Sequence, residues 1–216
     1  MKKPKKPEKA IIDGDLLCYP AAASAEKTHY ISRDANGEVI AEFSSAKEHK
    51  NWLERIELLG FDLDHNYCGN VEDLTRDSYV KISEFSVATN SFEYLLNSWI
   101  KRAGMSLEQC EVYLPKGGGE PCFREEVALR KPYKGQRSPE KPHHYYALRD
   151  WAFEQPYVKV SNSSGFENDD VCVAKASKLG EKGLLIQNEK DSLNVVGCWV
   201  FFPDKHQEPI FSDPTT

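Results

Sequence analysis

Short apolar runs alternate with segments of helical periodicity along most of the 216-residue chain, and this alternation restricts its fold more than any other feature. Ala10-Ile11-Ile12 and Leu184-Leu185-Ile186 are uninterrupted apolar runs next to turn or polar residues, which is the pattern of buried strands. Strands that alternate with helices favour a parallel sheet. The sequence therefore predicts an α/β fold with a mainly parallel central sheet covered by helices on both faces.

The other predicted elements follow from the same periodicities. Predicted helices cover residues 16–26, 45–59, 85–103, 144–153 and 167–179, and further predicted strands cover 111–114, 157–160 and 198–202. The helix from Ser45 is well delimited, because Ser45 and Glu48 have capping-box spacing and Gly60 follows its last apolar residue.

An insertion interrupts this alternation near the N-terminus. Two alternating segments, 28–33 and 38–43, flank an Asn-Gly turn at Asn36-Gly37 and predict a β-hairpin. The helix from Ser45 follows, and residues 61–84 are polar and predict irregular loops. We therefore expect a basic tail over residues 1–9 and one domain over 10–216, with a hairpin and helix insertion at 28–84.

Charge is unevenly distributed along the chain. The net charge is -6, yet residues 116–142 carry seven cations against four acids. This segment is expected to face a polyanion such as DNA. No apolar stretch approaches the roughly 18 residues that a membrane-spanning helix needs, and the lysine-rich N-terminus lacks the apolar core of a signal peptide. These patterns predict a cytoplasmic protein without a membrane partner.

Three carboxylates are concentrated at Glu167, Asp169 and Asp170, just after Gly165 and before a predicted helix. Clustered acids repel one another, and Mg²⁺ with its preference for oxygen ligands is a common compensator. The alternative is that the acids only stabilise the positive end of the helix dipole. The run on its own leaves both interpretations open.

Two other acidic clusters follow predicted strands. Asp13 and Asp15 come directly after the first strand, and Glu189 and Asp191 follow the strand at 183–187. Ligand sites in open parallel sheets form at the carboxyl edge, where these clusters and the acidic helix start are expected to meet. An all-oxygen patch suits Mg²⁺ or Mn²⁺, and two such ions can promote phosphodiester hydrolysis.

Several motifs spread over nearly the whole chain occur together in a known family. In chain order they are Ile12-Asp13-Gly14-Asp15 with Tyr19, Phe123-Arg124, Tyr133-Lys134-Gly135-Gln136-Arg137, Gly165-x-Glu167-x-Asp169-Asp170 and Glu189-Lys190-Asp191. With these motifs the chain resembles the phage-type 5'-3' exonucleases of the flap-endonuclease superfamily, whose nuclease core is a PIN-like fold. The resemblance implies a DNA exonuclease or flap nuclease of phage or bacterial cytoplasm, which acts on 5' ends or flaps.

The resemblance also implies a role for each matching residue. Asp13, Glu167, Asp169 and Asp170 would hold mainly the first metal, Glu189 and Asp191 the second, and Arg124 and Lys134 would contact the scissile and neighbouring phosphates, with Arg137 beside them. For Tyr133, stacking on an exposed base and packing at the base of its loop both remain open. For Lys131, phosphate contact and a solvated basic face remain open.

The chain departs from the family pattern in three places. Many members carry an aspartate in the loop before Phe-Arg, and Glu120 is the only acid in that loop here. The family's Asp-Lys-Asp motif appears here with Glu189 in place of its first aspartate. Family members continue into a helix-three-turn-helix module, whereas only 25 residues follow Asp191 here. We therefore expect this duplex-binding module to be absent or supplied by a separate fragment, with an incomplete second metal site. A non-catalytic DNA-end-binding subunit and a PIN-type ribonuclease are the alternative functions.

Overall fold

The computed structural model describes residues 6–116, 140–161, 165–188 and 195–212. The chain divides into two compact units: a core unit, Met1–Ala23 with Phe85–Thr216, and an inserted unit, Ser24–Glu84. The strands are β1 (Lys9–Asp13), β2 (Glu26–Arg33), β3 (Val39–Phe43), β4 (Phe61–Asp62), β5 (Tyr67–Cys68), β6 (Thr75–Ile82), β7 (Cys110–Pro115), β8 (Val158–Ser161), β9 (Gly183–Ile186), β10 (Trp199–Phe201) and β11 (Ile210–Phe211). The helices are α1 (Asp15–Ala23), α2 (Ala46–Leu59), α3 (Phe85–Arg102), α4 (Tyr145–Phe153) and α5 (Asn168–Leu179).

The core unit is built on a six-stranded sheet in the order β11-β10-β9-β1-β7-β8. All neighbouring strands are parallel except β10 and β11, which are antiparallel. The prediction of a mixed α/β fold with a mostly parallel sheet is confirmed. Counted in chain order within the core unit, the sheet has the 3-2-1-4-5-6 order of doubly wound folds.

The central strands are apolar because both of their faces are buried. Ile11 and Ile12 of β1 and Leu184 and Leu185 of β9 expose at most 1% of their surface. Because helices cover both faces of a parallel sheet, its strands have continuous apolar sequences. Helix α5 turns small side chains, Cys172 and Ala176 among them, towards Ile11, Leu185 and Val200. Close packing of α5 on the sheet sets the position of its N-terminus.

The inserted unit contains a three-stranded antiparallel sheet in the order β3-β2-β6. The predicted hairpin is confirmed as β2 and β3, and α2 packs Trp52 and Ile56 with Ala41 of β3. Helix α2 begins after Ser45, whose hydroxyl accepts the Glu48 N–H, and ends at Gly60 in a left-handed conformation.

The expectation that residues 61–84 form irregular loops is wrong. They contain β4, β5 and the eight-residue strand β6. Strand β6 carries no alternation of buried and exposed positions, because every one of its residues is exposed. Periodicity detects strands that bury one face, so it had nothing to detect here.

No helix within the described residues is long and apolar enough to cross a membrane.

Candidate functional site

Asp13 is the last residue of β1, and its carboxylate lies at the carboxyl edge of the parallel sheet. It is 6% exposed and pairs in register with Tyr113 of β7. The chain builds β7 and β8 on one side of β1 and then β9 and β10 on the other, so the topology reverses at β1. Ligands of open α/β sheets bind in the crevice at such a switch point.

Gly14 allows the chain to turn tightly after Asp13. A Cβ atom at this position would lie 2.6 Å from the Leu114 side chain and 2.9 Å from the Tyr113 carbonyl oxygen. The Gly14 N–H donates to that same carbonyl at 2.9 Å. A larger residue at position 14 would push β1 away from β7 and displace Asp13 and Asp15, so the glycine serves the site through close backbone approach.

Asn168, in the first turn of α5, joins this helix to the end of β1. Its Nδ2 donates to Asp13 Oδ1 at 2.5 Å and to the Tyr113 carbonyl oxygen at 2.9 Å. Its Oδ1 is buried and has no hydrogen-bond partner among the described residues. A buried acceptor in this state is costly unless something donates to it or coordinates it. Asn168 thus bonds to Asp13 through its amide nitrogen and leaves a buried amide oxygen that a donor or a cation would satisfy.

Burial is the main cause that raises the pKa of Asp13 from 3.8 to about 7. The negative charges of Asp15 and Asp169 add to the effect, while the hydrogen bonds from the Asp15 N–H and Asn168 oppose it. The carboxylate form of Asp13 is therefore stabilised less by its surroundings than by water. A positive charge bound at this edge would reverse that balance.

Asp15, two residues further on, is held by cationic and phenolic donors. Arg149 donates to Asp15 Oδ1 and also to the Pro115 carbonyl oxygen, and the Tyr145 hydroxyl donates to Asp15 Oδ1 at 3.1 Å. Arg149 thereby ties α1 to the carboxyl end of β7. Sequence reasoning missed Arg149 and Tyr145. Their i, i+4 spacing on one helix face was the available signal, but it does not name a partner 134 residues away.

Aromatic rings and a lysine lie next to this ion pair. Tyr19 packs edge-on against Tyr145, and Lys141 Nζ lies 5.6 Å and 5.2 Å from the centres of these two rings. Tyr19 is 48% exposed. Tyr145 is buried, so a cation beside the exposed Tyr19 ring offers charge attraction and one stacking surface to an anionic aromatic ligand such as a nucleotide. Lys141 belongs to the basic segment 116–142, and nothing in the sequence indicates that two aromatic rings lie next to it.

The acidic run begins α5, as predicted. Glu167 and Asp170 form a capping box in which the Glu167 N–H donates to Asp170 Oδ2 at 3.4 Å, and Asp169 Oδ1 accepts the Asp170 N–H at 2.9 Å. Asp169 is also close enough to Asp13 to raise its pKa. The run therefore stabilises the helix start and approaches Asp13 at the same time. Among the described residues, no three His, Cys, Asp or Glu side chains are already grouped as a metal site.

Several predicted site residues lie outside the described residues. They are Arg124, Lys131, Tyr133, Lys134, Arg137, Glu189 and Asp191. The structure brings together Asp13 with Asp15 and Asp169, and it adds Asn168, which is not among the residues that the sequence predicts for the site.

Comparison of the chain with protein-family models, with curated proteins and with solved structures found no match in any of the three.

Proposed function

We propose that this protein is a divalent-metal-dependent nuclease with a PIN-like core, which hydrolyses DNA phosphodiesters from 5' ends or flaps. The observation that carries the proposal is the buried Asp13 carboxylate at the topological switch point, which accepts from the Asn168 amide, whose own Oδ1 is buried without a partner among the described residues. A buried carboxylate, a buried amide oxygen on the residue that bonds to it, and the nearby Asp169 carboxylate are oxygen donors of the kind that a hard cation takes. The strand order is compatible with a PIN-like core.

A dinucleotide-binding role is the obvious competitor, because the sheet has the strand order of dinucleotide-binding folds. Such folds follow their first strand with a glycine-rich turn that holds a pyrophosphate against a helix N-terminus. Here the first strand is followed by Asp13-Gly14-Asp15, and the helix that approaches this edge begins with Glu167, Asp169 and Asp170. These carboxylates repel a bare phosphate and favour one that arrives with a divalent cation.

Asp13, Asn168 and Asp169 are the described residues that would hold such a cation, with Glu167 and Asp170 beside them and Glu189 and Asp191 as the proposed second set. A Mg²⁺ or Mn²⁺ ion there supplies a water of lowered pKa and charge neutralisation at the phosphate. The 5' polarity, the preference for DNA and the phosphate contacts of Arg124 and Lys134 are part of the proposal by resemblance.

The residues around the edge have separate tasks in this proposal. Asn168 orients the Asp13 carboxylate through its amide N–H and keeps α5 in register with β1. Arg149 neutralises the charge of Asp15 and holds the turn after β1 in place. The negative charge that is left for a cation at this strand end is then that of Asp13. Tyr19 and Lys141 offer a surface on which the terminal base and its phosphate can rest.

The test is release of nucleotides from 5'-labelled duplex and flap DNA in Mg²⁺ or Mn²⁺. We expect Asp13→Asn, and the double variant Asp169→Ala with Asp170→Ala, to abolish release. Glu181→Gln is the matched control, since Glu181 is exposed and precedes β9 at the opposite edge of the sheet. Full activity of the double variant contradicts the proposal.

The alternative functions are distinguishable outcomes of the same assay. Binding in Ca²⁺ with no cleavage in Mg²⁺ or Mn²⁺, with or without a separate helix-three-turn-helix fragment, indicates a DNA-end-binding subunit. Cleavage of labelled RNA in preference to the same sequence in DNA indicates a ribonuclease. Cleavage of the DNA end, started by Mg²⁺ in a complex formed in Ca²⁺, supports the nuclease proposed.

A further inference from the structure

Strand β6 is an edge of the inserted sheet that is open to a further strand. It pairs with β2 from Thr75 to Ile82 without interruption, and no other described strand pairs with it. All eight of its residues are exposed, and they include Tyr79, Val80 and Ile82. Long, exposed edge strands present unpaired backbone groups that can pair with another chain.

The hydrogen bonds of β6 show which of its backbone groups face outward. The Ser83 N–H donates to the Ala25 carbonyl, whereas the Ser78 N–H donates to the Asp77 carboxylate at 2.7 Å. Because antiparallel ladders alternate, the odd-numbered residues bond to β2 and the even-numbered residues present their N–H and C=O groups to the outside. Arg76, Ser78, Val80 and Ile82 therefore form the open edge.

The charges along β6 are only partly balanced within a single chain, since Lys81 is near Glu42 of β3 while Asp77 accepts a backbone N–H. Lys81 lies directly opposite Lys27 in the β2 pairing, and like charges at opposed positions are destabilising. Asp77 is opposite the apolar Ile31. An incoming strand that carries a carboxylate to Lys81 and a cation to Asp77 would correct both positions.

We propose that the incoming strand is β6 of a second copy of this chain, paired antiparallel about Tyr79. This register places Asp77 of each copy opposite Lys81 of the other, so the twofold symmetry produces two ion pairs. It also pairs Ser78 with Val80 and Arg76 with Ile82, which are the outward-facing residues that must exchange backbone hydrogen bonds. In this dimer the Ser78 N–H exchanges the Asp77 carboxylate for the Val80 carbonyl of the other copy, which releases Asp77 to pair with Lys81.

The side chains that this register brings opposite one another are also compatible with it. Between the two copies of β6, unlike in the β2 pairing, the odd-numbered residues form the non-hydrogen-bonded pairs, in which opposed side chains approach most closely. The two Tyr79 residues are then opposed across the axis, with each ring turned over its own β2 towards Glu42 of β3. The Tyr79 hydroxyl is already held by Glu42 at 2.7 Å and its ring is stacked on His29 at 5.3 Å, so little freedom is lost when the copies join.

Analytical ultracentrifugation of the full chain over a wide concentration range tests the proposal. We expect a reversible dimer of micromolar strength, because a single strand pair buries a small interface. Val80→Pro removes an outward N–H and leaves the β2 ladder intact, so it should abolish the dimer. Hydrogen exchange of β2 checks that the inserted sheet stays folded.

Charge reversal identifies the register without removing the strand. Asp77→Lys and Lys81→Asp alone should each weaken self-association at least about tenfold, since two attractive pairs become repulsive. An equimolar mixture of these two variants, and the double variant carrying both changes, should restore the dimer. A monomeric wild-type chain, or a dimer indifferent to Val80→Pro and to charge reversal, overturns the proposal.

Discussion

Asp13 of the core unit and Asp62 of the inserted unit are both buried, with 6% and 5% of their surface exposed, but their surroundings are opposite in character. Asp62 accepts hydrogen bonds from Trp52 at 2.8 Å and Arg55 at 2.5 Å, and His65 Nδ1 lies 2.5 Å from it. Asp13 accepts only from the Asn168 amide and the Asp15 N–H within the described chain, and its charged neighbours there are acids.

The pKa values of the two carboxyls respond accordingly. Burial alone would raise the pKa of Asp62, but the hydrogen bonds from His65 and Trp52 and the charge of Arg55 outweigh it, and the pKa is lowered. Burial and acidic neighbours raise the pKa of Asp13. A buried carboxylate with its own cations stabilises a fold, whereas one surrounded by acids destabilises the fold until a cation is supplied. Under the proposed function, Asp13 is the carboxylate whose charge a bound cation would balance.

The largest expected effect is on the pH dependence of the core unit. The folded-state pKa of Asp13 is about 7 and its ordinary value is 3.8, so the folded state retains a proton that the unfolded state loses. Stability without divalent metal should therefore fall as pH rises from about 4 to 7, by up to about 4 kcal/mol. Asp13→Asn should remove this slope and be the more stable protein at pH 8.

Hydrogen exchange of β1 and α5 in EDTA, measured across this pH range, checks the prediction. Glu181→Gln should keep the wild-type slope. If stability depends on pH with the same slope in wild type and Asp13→Asn, the electrostatic distinction between Asp13 and Asp62 is wrong.

The opposite behaviour is expected of the inserted unit. Asp62→Ala leaves the buried Trp52 N–H without its acceptor and removes the buried partner of Arg55, which should lower the stability of α2 and β4 by about 3 kcal/mol at pH 7. Because the pKa of Asp62 is lowered on folding, its contribution is present above its ordinary pKa and is lost as pH falls through the folded value. Hydrogen exchange resolved to residues 46–68 measures both effects.

Asp64 provides the matched control for Asp62. It lies 3.7 Å from the same arginine, but its side chain is 77% exposed. Asp64→Ala should change the stability of this region by less than about 0.5 kcal/mol. A loss as large as that of Asp62→Ala would mean that burial is not what distinguishes the two acids.

Divalent metal should stabilise the core unit through Asp13 and leave the stability of the inserted unit around Asp62 unchanged. Mg²⁺ at a hundred times its dissociation constant should stabilise the core unit by about 2.7 kcal/mol, and more tightly bound metal is expected as pH rises through about 7 and Asp13 loses its proton. The measurement is hydrogen exchange with and without MgCl₂ at constant ionic strength. Stabilisation of Asp13→Asn by the same amount would place the metal elsewhere.

The sequence predicted those parts of the molecule in which local pattern and burial coincide. The apolar runs of β1 and β9 and the amphipathic α3 were visible because they bury a continuous surface. The position of Asp13 followed from strand ends alone, since carboxyl ends of parallel strands share one edge.

The remaining features depend on partners that are distant in sequence or on surfaces without periodicity. Asn168 matters because the sheet brings it to Asp13, 155 residues away, and nothing local distinguishes it from a helix-capping asparagine. Arg149 depends in the same way on Asp15. Strand β6 was not predicted, because it has no buried face that would produce an alternating pattern.

The smallest expected change in stability concerns the two helix starts and separates capping from metal binding. Ser45→Ala in the inserted unit removes a hydroxyl that accepts the Glu48 N–H and should cost about 1 kcal/mol with no effect on cleavage. Asp170→Asn in the core unit keeps an oxygen that can accept the Glu167 N–H, so it should cost at most about 0.5 kcal/mol through the helix dipole. If the acidic run holds a metal, the same change lowers the rate of DNA cleavage at least about tenfold. Thermal unfolding and a cleavage assay on the two variants thus decide the question, because capping alone predicts that Asp170→Asn, like Ser45→Ala, leaves cleavage unchanged.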